Sequence, residues 1–426
     1  MSEKKKAPRW MRLDNAALIF PAALRRTWRN AFRIAFTMAD PIDPSILQDA
    51  LDHVAKRFPS VCVCLRKSLF WYYLEEVEPP TVKEDSYQPL IRMKRSDIRR
   101  CGIRVLYYRN RLAVEFFHSV TDGHGGSVFL CNLVARYLEL RHGLAIPRTG
   151  MIYDLSKTPS QEELENSFFK YAAEGAASRK EPRVYRMHGT REEDGFKYLT
   201  TGIVDTQALL DAAHRFGVSL TSFLAAVMTE SVIAIQNEEK PRKKQKPVKI
   251  SLAVNLRRFF KSETLRNFAL ALNTGVDPRF GDYSLEDICR SISHQLGLYA
   301  TKQNLAGMIK ANVQLQQLVP LRLTPLFLKD FGMNLVYANV GETVSCLNIS
   351  NITKIELPDV MAPFIERMEF IIGTQRSYPN NCSVLSYGGK TYINMIRNIR
   401  EAELERRFFS RLVELDVPVE IESNRR

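Results

Sequence analysis

Phe116-Phe117-His118-Ser119-Val120-Thr121-Asp122-Gly123-His124-Gly125-Gly126 is the stretch from which the rest of the chain is read. It follows an apolar, β-branched and aromatic run, Leu112 to Phe117, and precedes an amphipathic one, Val128 to Arg141. That order predicts a strand, a polar turn and a helix. A histidine at a strand's end, with an aspartate four residues on and a glycine beside it, suits a general base facing a cleft. Asp122 then serves as a brace turned back into the protein. The same residues also fit a capped helix start, with Thr121 or Asp122 as N-cap and His118 a half-buried strand residue.

A chain of 426 residues is long enough for two domains. Its 45% hydrophobic and 25% charged content is that of an ordinary globular protein and excludes large-scale disorder. Lysine and arginine total 61 against 47 aspartate and glutamate, a formal net charge of +14. Such an excess steers anionic partners, whether phosphate-bearing cofactors, nucleic acid or acidic lipid, without choosing among them. Much of it sits in Lys4-Lys5-Lys6 and in Lys240-Pro241-Arg242-Lys243-Lys244-Gln245-Lys246, read as solvated tail and loop. Seven scattered cysteines, with no Cys-x-x-Cys or zinc spacing, indicate reduced thiols, no metal site and a cytoplasmic setting. The amino terminus has no uninterrupted apolar region of the signal-peptide kind, and no apolar run reaches the roughly eighteen residues of a transmembrane helix.

Along the chain, residues 1–12 read as a mobile basic tail, Asn30 to Ala39 as a strand, and Pro41 to Phe58 as a helix entry and helix. Hairpins follow at Ser60 to Leu74, turning through Arg66-Lys67-Ser68, and at Gly102 to His118, turning through Arg109-Asn110. Charges dominate from 156 to 195, which divides the chain into an N-terminal subdomain (1–155), a crossing segment (156–195) and a C-terminal subdomain (196–426). In the last of these, strands are expected at Tyr198 to Val204, Val248 to Asn255, Phe268 to Val276, Val344 to Ser350, Arg367 to Ile372, Cys382 to Tyr387 and Lys390 to Ile396. Ser219 caps a long apolar helix, further helices fill 284–314 and 320–337, and a last one runs from Glu401 to Leu415.

His118-Ser119-Val120-Thr121-Asp122-Gly123 resembles the active-site motif of the chloramphenicol acetyltransferase-like superfamily, which includes condensation domains, plant acyltransferases and alcohol acetyltransferases. Other landmarks agree: Val218 to Val227, Ala253-Val254-Asn255-Leu256-Arg257, and Leu347-Asn348-Ile349-Ser350-Asn351-Ile352-Thr353. The resemblance spans about the whole chain. Its opening Arg12 to Pro21, with Phe70 to Glu75, looks most like bacterial alcohol acetyltransferase-like proteins.

The resemblance implies an α/β fold of two similar subdomains, each a mixed β-sheet packed with helices, with an active-site tunnel between them. It implies an acyltransferase that moves an acyl group from a coenzyme A or carrier-protein thioester to an alcohol or amine. His118 would be the general base. Asp122 would pair with an arginine, for which Arg257 is the candidate. Gly123 would permit close approach, and Ser350 or Asn351 would donate to the developing oxyanion. No metal or redox cofactor is needed, since acyl-CoA or acyl-phosphopantetheine enters as co-substrate. The expected partners are a small-molecule donor and acceptor and an acyl carrier protein, with no nucleic acid and at most peripheral membrane contact.

The basic loop Lys240 to Lys246 is the candidate for the donor's phosphates. Three departures stand out. Phe117 occupies the place of the first of two histidines usual in condensation domains, Thr353 replaces a glycine, and Asp330-Phe331-Gly332 mimics a plant motif in the wrong place. His124 reads as a solvent or packing residue. The rival reading is a catalytically silent, condensation-domain-like binding or scaffold protein on the same fold.

Overall fold

The strand Ala31–Met38 is buried at every position but Thr37, as a strand covered on both faces must be. In this computed structural model, which describes residues 9–22, 30–172, 181–192, 195–336, 343–375 and 378–425, it lies inside a five-stranded sheet. The order is Ile365–Ile372, Ala31–Met38, Arg111–Phe117, Ile103–Tyr108 and Lys83–Glu84, antiparallel except for the last pair. Helices Pro44–Arg57 and Gly123–His142 share one apolar core with it. Asp43 caps the first of these, accepting the Ser45 and Ile46 amides. A charge inside the sheet needs partners, and buried Arg33 has two, Asp85 and Glu115.

The second sheet has seven strands, in the order Ala269–Val276, Val248–Asn255, Leu347–Lys354, Asn380–Tyr387, Lys390–Arg397, Tyr198–Asp205 and Val419–Ser423. Leu347–Lys354 runs parallel to both neighbours. Helices Leu220–Glu239, Leu285–Tyr299 and Glu403–Glu414 pack with it around a second core. Ser219 caps the first of these, as expected, its hydroxyl accepting the Ser222 amide. That helix is long and apolar enough by composition to cross a membrane, but most of it is buried in this core.

Mixed sheets packed with helices are thus what the sequence led us to expect, with local corrections. Trp10–Arg12 is no mobile tail: it pairs antiparallel with Tyr73 to Glu75. The Lys4-Lys5-Lys6 run lies outside the described residues. The first hairpin turns later than expected, between Val63–Lys67 and Tyr72–Glu76. The edge strand Val419–Ser423 had no expectation, and the strand placed at Val344 to Ser350 runs over Leu347–Lys354. Chain order also misleads at Ile365–Ile372, which falls within 196–426 but is hydrogen-bonded to Ala31–Met38 in the other sheet. Ser383 and Asn394 of the seven-stranded sheet both donate to the Phe370 carbonyl, so this strand joins the two sheets.

The crossing segment carries structure. Residues 173–180 and 193–194 lie outside the described residues, but before them come the capped helices Gln161–Leu164 and Ser167–Lys170. Glu163 receives both terminal nitrogens of Arg57, at 2.7 and 2.9 Å, while its carbonyl accepts the Leu265 amide. Phe168 packs edge-on against Phe268, 5.3 Å between centroids. The segment therefore fastens the helix Pro44–Arg57 to the loop that leads into the strand Ala269–Val276. Glu163→Gln would leave the Arg57 charge buried without its counter-ion, and a loss of about 3 kcal/mol in urea unfolding is expected. Arg57→Met with Glu163→Leu should recover most of it.

Candidate active site

The strand Arg111–Phe117 ends one residue before His118, whose amide donates to the Asn30 carbonyl at 2.8 Å. The helix Gly123–His142 then starts on Asp122, so the two readings of the motif hold together: Asp122 is N-cap and brace at once. Its Oδ1 accepts the Gly125 amide at 3.1 Å. Its Oδ2 accepts Arg257 Nη1 and the Phe268 amide, each at 2.8 Å. The Arg257 guanidinium also donates to the carbonyls of Thr264 and Arg266, so its charge is met on several sides. Both side chains are more than nine-tenths buried. Burial alone would raise the Asp122 carboxyl, and Arg257 with the Phe268 amide outweighs it, leaving the group below the ordinary carboxylate range.

His118 itself is half-buried. Phe20 stacks on its ring at 4.5 Å between centroids and 17° between planes, and Phe32 meets it edge-on at 5.1 Å. Its Nδ1 lies 3.0 Å from Asn267 Oδ1, and Asn267 Nδ2 donates to Asp14 Oδ2 at 3.2 Å. Its Nε2 makes no hydrogen bond among the described residues. Asp14 is fully buried, raised by that burial against the pull of Arg266. Sequence reading missed Phe20, Asp14 and Asn267. The first two sit in an opening stretch quoted only as a landmark, and Asn267 lies 149 residues from His118 with no motif around it.

Among the glycines, the tight position is one turn-step further than expected. A Cβ at Gly123 would meet the flexible end of Ile352 at 3.2 Å, whereas one at Gly125 would lie 2.1 Å from the Leu265 carbonyl oxygen. Thr121 donates to that same oxygen at 2.6 Å. Gly125 thus lets backbone from the second half of the chain seat itself in the turn. His124 is half-buried beside the pair; burial and then Arg257 push its ring down to about 4, so it is neutral at pH 7.

Ser350 and Asn351 both lie within the strand Leu347–Lys354. Leu347 and Ile349 point into the second core, so Ser350 lies on the opposite face, as does Ile352, which touches Gly123. The Ser350 hydroxyl makes no hydrogen bond among the described residues. The Asn351 amide donates to Thr221 Oγ1 at 3.2 Å and accepts the Thr353 N–H at 2.7 Å. Asp330 accepts from Tyr72 OH, and its helix Leu326–Val336 packs against Ile19–Ala22, the segment that carries Phe20. The basic loop stands apart: it precedes Val248–Asn255 at the end away from Arg257, roughly 23 Å along the strand.

This pairing of sheets is shared by known structures. TRI101 of F. graminearum, solved in complex with ethyl coenzyme A, is 13% identical, with 97% of this chain and 99% of that one covered and a TM-score of 0.64. The first condensation domain of the CDA synthetase is 14% identical, with coverages of 96% and 97% and a TM-score of 0.61. The TRI3 trichothecene 15-O-acetyltransferase from Fusarium sporotrichioides is 11% identical, with coverages of 95% and 94% and a TM-score of 0.60. The chain therefore has the chloramphenicol acetyltransferase-like fold that these condensation domains and acetyltransferases share. No protein-family model and no curated protein sequence matches it.

Asp122→Asn would remove the charge that faces Arg257 and, with its oxygen kept on Arg257 and the Phe268 amide, would set its NH2 group against the Gly125 amide, donor against donor. A loss of about 3–5 kcal/mol near neutral pH is expected by chemical denaturation. Because the folded carboxyl titrates below its ordinary value of 3.8, its contribution is complete above that value and is lost as pH falls through the depressed one. The gap between wild type and variant should therefore be constant from pH 6 to 8 and narrow below about pH 4.

Proposed function

We propose that this protein is an acyltransferase that moves an acyl group from a coenzyme A or carrier-protein thioester to an alcohol or amine, with His118 as general base. The observation that carries the reading is the division of the motif. Asp122 is wholly engaged by Gly125, Phe268 and Arg257, while the His118 ring stands between Phe20 and Phe32 with Nε2 unclaimed by the described residues. The fold is shared with an O-acetyltransferase and with a chain solved in complex with ethyl coenzyme A, which supports the reading.

In this mechanism Nε2 takes the acceptor's proton as its oxygen or nitrogen attacks the thioester carbonyl. The tetrahedral intermediate carries its negative charge on the former carbonyl oxygen. The unpartnered Ser350 hydroxyl is the proposed donor to it, since Asn351 is occupied in holding its own strand. Collapse breaks the carbon–sulfur bond, and the thiolate leaves with the proton from His118. No metal or redox group enters these steps. The seven buried free thiols suit a reducing, cytoplasmic compartment.

Purified protein offered a panel of acyl-CoA and acyl-carrier thioesters with alcohol and amine acceptors should release thiol in an acceptor-dependent way. His118→Ala should abolish it, and Ser350→Ala should lower kcat on the order of 100-fold. Release that ignores His118, or none with any pair, favours the silent scaffold.

A further inference from the structure

We propose that Asn267 and Asp14 form a positioning relay that fixes the His118 ring in the tautomer with the proton on Nδ1, leaving Nε2 as the basic nitrogen. The argument begins at the far end of the relay. Arg266 and Asp14 are both buried, the guanidinium is always charged, and Asp14 is the one carboxylate within ion-pair range of it among the described residues, Nη2 to Oδ2 3.8 Å. Burial raises Asp14, but a buried guanidinium left without a counter-ion would cost more, so Asp14 stands as that counter-ion, and an ionised carboxylate only accepts. Its Oδ1 takes the Ala17 amide at 2.7 Å, and its Oδ2 faces the Asn267 side chain at 3.2 Å.

An amide facing a carboxylate must present its nitrogen. With Nδ2 turned to Asp14, Asn267 turns Oδ1 to His118, where it lies 3.0 Å from Nδ1. Oδ1 has no proton to give, so Nδ1 must be the donor. One fixed charge pair thus decides, through one amide, which ring nitrogen carries the hydrogen. The Phe20 stack and the Phe32 edge contact hold the ring plane. Placing a neutral amide between histidine and carboxylate separates two functions that a directly bonded aspartate would combine. The tautomer is set, but no full negative charge lies against the imidazole.

The relay deepens the acyltransferase reading, yet its test is independent of it. Protein carrying 15N-labelled histidine is examined at pH 7 by two-bond proton–nitrogen correlation, with His118→Ala identifying the His118 signals. The wild type should show Nδ1 protonated and Nε2 bare; the opposite tautomer overturns the proposal. Asp14→Asn gives a sharper reading. Its oxygen keeps the Ala17 amide, its new NH2 group faces Asn267, the Asn267 amide must turn over, and the proton is expected to move to Nε2. A variant that folds and keeps Nδ1–H overturns the relay.

Should Asp14→Asn fail to fold, Asn267→Ala spares the Arg266–Asp14 pair and should show a mixture of tautomers; an unchanged Nδ1–H again overturns it. In turnover, Asp14→Asn should lower kcat on the order of 100-fold with little change in KM, because Nε2, the nitrogen that faces the acceptor, then carries the proton and cannot act as base. The expected tautomer without any acyl transfer would remove the function and leave the relay. Acyl transfer with the other tautomer would do the reverse.

Discussion

The ion pair between Asp122 and Arg257 is the contact on which the site depends, because it joins residues 135 apart and serves three structures at once. On one side the carboxylate starts the helix Gly123–His142 by taking the Gly125 amide. On the other it takes the Phe268 amide, which heads the strand Ala269–Val276. Buried pairs contribute little when compared with apolar packing, and they are severe when half removed. Here the gain is position: the guanidinium also gathers the Thr264 and Arg266 carbonyls, so the loop that carries Asn267 is pinned next to the strand end that carries His118.

That engagement also decides what Asp122 does not do. Its two oxygens accept three donors, and none of them is the His118 ring. The histidine is instead placed from elsewhere, by Phe20 and Asp14 in the opening stretch and by Asn267 in the second half. With Phe32 on the strand Ala31–Met38, three separate pieces of chain converge on one imidazole. A loosened crossing segment would therefore be felt at the ring, since Leu265 and Thr264 both bond to the backbone of residues 163–165.

Much of this was legible in the sequence where the signal is local. The strand, turn and helix around His118, the Ser219 cap and the strand Val248–Asn255 follow from periodicity and capping chemistry. The Arg257 partnership was legible only through family resemblance. What could not be read depends on contacts distant in sequence. Nothing in the residues Ile365–Ile372 announces that they pair with Ala31–Met38, because a buried strand has the same composition in either sheet. Asn267 and Asp14 are ordinary residues until the fold brings them together. The edge strand Val419–Ser423 is mostly exposed, so it lacks an apolar pattern, and Gly125 was passed over for Gly123 because the crowding carbonyl belongs to Leu265.

The misplaced strand at Ser350 has a physical cause that bears on the site. The expected strand ended at Ser350, and just beyond it the backbone deviates: the register with Asn380–Tyr387 shifts between Asn351 and Thr353, and Thr353 takes φ +70°. A left-handed conformation costs a residue with a β-carbon roughly 1–2 kcal/mol, more acutely when it is β-branched, and a glycine would avoid that cost. Here it is held by side chains instead. Asn351 grips the Thr353 amide and reaches Thr221 at the start of the helix Leu220–Glu239, while Arg258, next to Arg257, approaches the Thr353 hydroxyl at 3.4 Å. The bulge keeps pairing alive beyond the deviation and seats Ile352 against Gly123, the first residue of the motif helix. The motif is therefore bounded on two sides, by the Arg257 charge at Asp122 and by the Ile352 side chain, which a Cβ at Gly123 would meet at 3.2 Å.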